Sequence, residues 1–130
     1  MRSEAWVQVQ EQVSRFPGDP YLLTVTAENR PHCGSVAVRC DDARCLLIVP
    51  APSSWPGSAA SGYCQVSLVW PPPAPGGHSL IIDGDAHNVP GAGEQMLAID
   101  PTRAVLYRRG PGLADPDASC SSDCIPILSP

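Results

Sequence analysis

The sequence predicts a mainly β protein, a small β-barrel of about six antiparallel strands preceded by one helix. Three observations carry this prediction. Short runs rich in β-branched and aliphatic residues recur along the chain. Sixteen prolines and 11 glycines punctuate them. Only one segment of any length has helical periodicity, and the crossover helices that an αβα sandwich would need between its strands are missing.

That helix is expected over residues 4–16. Trp6, Val9, Val13 and Phe16 fall on one stripe, Glu4, Gln8, Glu11 and Arg15 lie largely on the other side, and Pro17-Gly18 ends it. The first strand is Tyr21–Thr26. A polar turn, Ala27–Pro31, leads to a second from His32 to Arg39. Asp41-Asp42 turns the chain into a third, almost wholly apolar strand, Cys45–Val49. Strands joined by turns this short read as an antiparallel meander.

Pro50–Gly62 is a loop, with one helical turn of small residues expected at Gly57–Ser61. Gln65–Trp70 is the fourth strand, Trp70 being a core residue, and PPPAPGG breaks the chain after it. The fifth runs from His78 to Asp83 and on toward His87, with Gly84 permitting a bend. Residues 88–102 read as a loop holding a short helical piece at Glu94–Ala98, and Arg103–Tyr107 as a sixth strand. The chain thus divides into a barrel, residues 1–109, and a loosely ordered Pro/Asp/Ser-rich tail, residues 110–130.

A length of 130 residues fits one domain, and 43% hydrophobic with 16% charged residues excludes a disordered chain. No apolar run is long enough to cross a bilayer. The opening MRSEAWVQVQEQ lacks the apolar core of a signal peptide, so a cytoplasmic location with no membrane partner is expected. Net charge is −5 and no basic cluster exceeds Arg108-Arg109, which argues against a nucleic-acid partner. Every base is an arginine, and without a lysine neither Schiff-base chemistry nor an ordinary P-loop can be built.

The six cysteines are expected as thiols, several of them packed as small hydrophobes. Cys120 and Cys124 are the only metal candidates, and two ligands fall short of the four of a structural zinc site. Cys40 and Cys45 flank a turn and would have to supply the others; strand packing and an unstructured tail with incidental thiols are the competing readings. We therefore assign no metal site. His32 and Cys33 are neighbours on a strand, so their side chains point to opposite faces and cannot pair as base and nucleophile. One is expected packed and one exposed. His78 and His87 are expected at solvent-facing strand ends. Trp55 is either an anchor beneath its loop or a stacking surface for a planar ligand. No catalytic acid or base is assigned.

Three stretches, YLLTVTAENRPHCGSVAV, CLLIVPAP and SSWPGSAASGYCQVSLVW, carry a resemblance. Over roughly residues 5–107 their order resembles the pyridoxamine 5'-phosphate oxidase-like flavin-binding split barrels, including deazaflavin-using actinobacterial relatives. The resemblance implies a split β-barrel with short connecting helices, a homodimer, and FMN or a deazaflavin coenzyme in a groove between subunits. Ser35 and Val36 would offer backbone contacts to the ring. Arg39 matches a position where the oxidases place a lysine near it. Val49, Pro50 and Ser54 match positions approaching the ring and the ribityl-phosphate arm, and Trp55 and Ser58 complete the expected groove. The chain departs from the pattern at the phosphate: Gly34 stands where the family has an arginine, and Trp55-Pro56 where it has an arginine-lysine pair. Helix amides near Gly57–Ala59 would offset part of that loss. The expected function is that of a flavin- or deazaflavin-dependent oxidoreductase acting on a small organic molecule, though not a typical pyridoxamine phosphate oxidase. The alternative is a non-enzymatic module binding another planar ligand such as haem, or a metal through its cysteines.

Overall fold

The computed structural model describes residues 4–26, 28–52, 55, 64–89, 95–109 and 122–129, the side chains at 109, 122 and 123 excepted. Helix α1 (Glu4–Ser14) forms where the apolar stripe places it and buries Trp6 and Val9. It ends in a tightened turn, the Phe16 amide donating to the Val13 carbonyl at 3.1 Å. The Trp6 indole N–H reaches Asp42 Oδ1 at 3.2 Å, tying the helix to the turn after β3.

The rest is mainly β, as expected, but with eight strands in one antiparallel sheet. They are β1 (Tyr21–Val25), β2 (Pro31–Ser35), β3 (Arg39–Asp41), β4 (Leu46–Pro50), β5 (Cys64–Trp70), β6 (Ser79–Val89), β7 (Met96–Arg109) and β8 (Ser122–Leu128). The expected second strand is therefore two, interrupted at Val36–Val38. Residues 96–98 are not helical: they open β7 and pair with β4, where Leu97 and Ala98 are buried. No connecting helix occurs among the described residues, and the helical turn expected at 57–61 lies outside them. The tail also departs from expectation, because residues 122–128 form β8 and join the edge of β7.

Neighbours run in the order β2-β1-β5-β6-β7-β4-β3, with β8 beside β7. β2 and β3 thus sit at opposite ends of the path although only Val36–Val38 separates them in sequence. Laid flat, six interstrand spacings of ~4.8 Å would put these edges ~29 Å apart. The four Cα steps from Ser35 to Arg39 reach at most ~14 Å. The sheet must therefore roll until its two edges approach. No hydrogen-bonded pairing joins β2 to β3 among the described residues, so the roll is left open along a seam.

A bulge helps bend it. Asp83 pairs with Arg103 and Gly84 with Pro101, leaving Thr102 as the extra residue. Beyond it β7 changes partner on its outer edge: residues 96–99 pair with β4, and residues 104–109 with β8. The inward positions Leu22, Val66, Leu68, Trp70, Leu80 and Ile82 are all under 5% exposed. Together with Leu47, Val49, Leu97, Ile99 and the α1 residues Trp6 and Val9 they form one core. Each such side chain contributes about 1.5–3 kcal/mol when buried.

Candidate functional site

The open seam holds a cavity of about 350 Å³. One wall comes from β2, where strand alternation turns His32 and Gly34 to the half-buried side and Pro31, Cys33 and Ser35 to the exposed side. Register places Leu22 opposite Gly34 and the buried Thr24 opposite His32. The chain then leaves the ladder, the Val36 amide donating to the Pro20 carbonyl at 3.0 Å, and crosses the seam through Val36 and Ala37. The far wall is Pro50, at the end of β4, with Ala51 and Pro52 beyond it. The Ala51 amide holds that wall in place by donating to the Gln95 carbonyl at 3.0 Å.

Two details give the cavity its character. A Cβ on Gly34 would stand 3.5 Å from His32 Cε1, in ordinary contact, so a side chain longer than a methyl group would have to enter the space. His32 Nδ1 is buried and has no hydrogen-bond partner among the described residues. A shielded polar atom left unpaired costs roughly 1–3 kcal/mol.

The structure brings Ser35, Val36 and Pro50 together at this cavity. It does not bring Val49, Arg39 or Trp55 there. Val49 is fully buried in the core. Arg39 is exposed, because alternation along the crossing turns Val36 and Val38 inward and Ala37 and Arg39 out. Trp55 is a core residue at 9% exposure whose indole N–H donates to Asn88 Oδ1 at 2.9 Å, the same oxygen that accepts from Gln95 Nε2 at 3.1 Å. Ser54 and Ser58 lie outside the described residues. His32 was not among the expected contacts. The alternation that separates it from Cys33 also puts it beside Gly34, and that was the available signal. His78 and His87, expected facing solvent, are half-buried.

A larger cavity, about 530 Å³, lies on the outer face of the sheet. Register builds a row across it, Leu23 to Ser67 to Asp83 to Arg103. Ser67 Oγ donates to Asp83 Oδ1 at 2.6 Å, and Arg103 bridges to Oδ2 at 3.2 Å. Thr102 Oγ1 donates to the Asp83 carbonyl at 3.3 Å. The charged groups of this cavity already satisfy one another. Beside them Tyr21, Leu23 and Val25 present three successive outward apolar side chains, 40–51% exposed.

Cys33, Cys40, Cys45 and Cys64 carry free thiols. Cys124 is exposed on β8, opposite Tyr107, and Cys120 lies outside the described residues. No three His, Cys, Asp or Glu residues gather in a metal-binding group among the described residues. Burial, and secondarily the Asp42 carboxylate, push the Cys40 thiol above its ordinary value. The folded chain keeps that proton to higher pH than the unfolded chain. Its contribution to stability is therefore whole below the ordinary thiol range, near about pH 8.5, and is lost as pH rises through the raised value. Timed iodoacetamide labelling with peptide mapping is expected to modify exposed Cys33 well before Cys40. Asp42→Asn, which keeps an acceptor for Trp6, is expected to speed labelling of Cys40; equal rates at Cys33 and Cys40 would contradict the assignment.

No known family profile matches the chain. It is similar to an uncharacterized protein of Mycobacterium bovis and to an uncharacterized protein of Mycobacterium tuberculosis, each 25% identical over 137 aligned positions. Both alignments cover 95% of this chain and 96% of the relative, so the likeness runs nearly end to end. No described helix is long and apolar enough to cross a membrane.

Proposed function

We propose that the protein is a split barrel of the pyridoxamine 5'-phosphate oxidase-like kind, binding a flavin-type ring at the seam and acting as an oxidoreductase on a small organic molecule. The observation that carries this reading is the seam cavity. Most of its lining, Leu22, Val36, Ala37, Pro50, Ala51 and Pro52, is apolar, and three of the residues that the resemblance assigns to the ring lie there. A volume near 350 Å³ sits at the low end of the range for small-molecule sites. Such a ring would supply the hydride chemistry; the protein would position it and keep water away.

The apolar lining supports a ring; nothing in it supports a phosphate. Among the described residues no lining side chain is an arginine or lysine, Gly34 occupies the position of the family's arginine, and Arg39 is turned to the outer face. No catalytic step is therefore derived through the cofactor.

The reading also includes a homodimer, with a second copy covering Tyr21, Leu23 and Val25. A contiguous apolar strip of that kind favours a partner. The neighbouring Ser67–Asp83–Arg103 row, internally neutralised, sets little charge against self-association. A cytoplasmic location belongs to the same reading.

Protein purified from an expression host should show flavin or deazaflavin absorbance, or acquire it on titration with FMN or the deazaflavin coenzyme. Sedimentation velocity on the same sample should give twice the chain mass. A colourless monomer that binds neither coenzyme at high micromolar concentration would end the oxidoreductase reading.

A further inference from the structure

We infer that the seam cavity selects an uncharged, planar heterocycle that carries no phosphate, and that the His32 imidazole is its polar anchor. The inference rests on reading this cavity as the ligand site and adds the chemical class of the molecule that enters it.

Charge gives the first argument. A phosphate taken from water needs cationic donors close by, and none lines this cavity among the described residues. Among the described arginine side chains, Arg15 pairs with Glu11, Arg44 with Asp41 and Arg103 with Asp83, while Arg30, Arg39 and Arg108 are exposed and do not line the cavity. A net charge of −5 adds no attraction for an anion.

Shape and polarity give the second. Prolines and aliphatic residues, Leu22, Val36, Ala37, Pro50, Ala51 and Pro52, make up most of the lining, and Gly34 adds no side chain to it. Among the described lining residues, His32 carries the polar side chain on the cavity side of β2, since Ser35 turns to the exposed side. A neutral imidazole offers one donor and one acceptor, and its ring torsion is broad and two-fold, so either nitrogen can be presented. Nδ1 can make one hydrogen bond, to a ligand carbonyl or from a ligand N–H, and the edge of a lactam or imide heterocycle offers either. Meeting it would relieve the unpaired Nδ1. Strand pairing holds the anchor in place, since His32 is fixed opposite Thr24 on β1.

The test compares lumiflavin, riboflavin and FMN, which share one ring and differ in chain and phosphate, by quenching of flavin fluorescence. Nile red, a planar uncharged dye with a ring carbonyl, serves as a probe that is not a flavin. His32→Phe keeps the ring area and removes both nitrogens; Gly34→Leu fills the cavity; circular dichroism checks that both variants fold. Riboflavin and FMN are expected to bind within about threefold of each other. His32→Phe should weaken riboflavin by about tenfold, the loss expected for one hydrogen bond in a shielded site. Gly34→Leu should abolish binding of every probe. FMN bound more than about tenfold tighter than riboflavin would mean that a phosphate is gripped and would overturn the inference. So would unchanged affinity in His32→Phe, or Nile red bound equally by the wild type and Gly34→Leu. If the flavins fail to bind while Nile red binds and is lost in Gly34→Leu and weakened in His32→Phe, the flavin reading falls and the neutral-heterocycle site stands.

Discussion

Gly84→Ala is expected to destabilise the protein by about 3 kcal/mol, the upper part of the range for forced overpacking. A methyl group on Gly84 would lie 2.6 Å from the Asp100 carbonyl oxygen and 2.7 Å from Ile99 Cγ2. The first of these is backbone of the partner strand, so it cannot swing aside as a side chain would. Relief requires β6 and β7 to separate at the bulge, where β7 bends before it changes partner. Because β7 carries β4 on one segment and β8 on the next, the damage reaches both. Gly18→Ala is the control: nothing lies within 4 Å of its Cβ position. It should be neutral or mildly stabilising, by up to about 1 kcal/mol. Urea or guanidinium unfolding of the two variants measures the contrast, and equal midpoints would show that the strands do not approach this closely.

Trp55→Ala is expected to cost about 3–5 kcal/mol, as a buried aromatic truncated to a methyl group. On a domain whose whole stability is about 5–15 kcal/mol, that brings the chain near the edge of folding. Trp55→Phe separates the contributions. It keeps most of the buried area and removes only the N–H that reaches Asn88, leaving Gln95 as a donor to the same oxygen, so its cost should be about 1 kcal/mol. The two readings of this residue, anchor and stacking surface, then diverge in measurement. An anchor lowers the unfolding free energy in proportion to lost volume. A stacking surface leaves stability nearly unchanged and weakens ligand binding. The indole's position among core residues favours the anchor.

Elements with a complete local signal were legible in the sequence. The α1 stripe ends at Pro17-Gly18, β1 alternates buried with exposed positions, and β5 alternates buried with half-buried ones from Val66 on. β7 was hidden because Asp100-Pro101 reads as a break, whereas the structure uses that proline at a bulge, opposite Gly84. β8, SDCIPIL, has little strand propensity and contains Pro126. Its order comes from pairing with β7, a contact that local sequence does not reveal. β3 is only three residues long and takes its identity from β4. At the site, Ser35, Val36 and Pro50 were reached through resemblance, because no single motif marks them. His32 was half legible: alternation groups it with Gly34, but which face is interior depends on the register with β1. Val49 and Arg39 were assigned by position in a pattern, and the alternation of their own segments turns one into the core and the other outward.

The order of neighbours in the sheet also bears on how the chain must be made. During synthesis β1 and β2 emerge first, yet the inner neighbour of β1 is β5, some forty residues later, and β4 must wait for β7. The apolar strand LLIVP pairs at once with the short β3 on one edge, but precedes its second partner, β7, by nearly fifty residues. The other ladders, β1-β2, β3-β4, β5-β6, β6-β7 and β7-β8, join consecutive strands and can pair in order as they appear. The two distant ladders, β1-β5 and β4-β7, close more slowly than the hairpins, and until β7 arrives one edge of this apolar strand stays unpaired. The wait of β1 for β5 and of β4 for β7 thus sets an interval in which this protein depends on its neighbours in the cell to leave it alone.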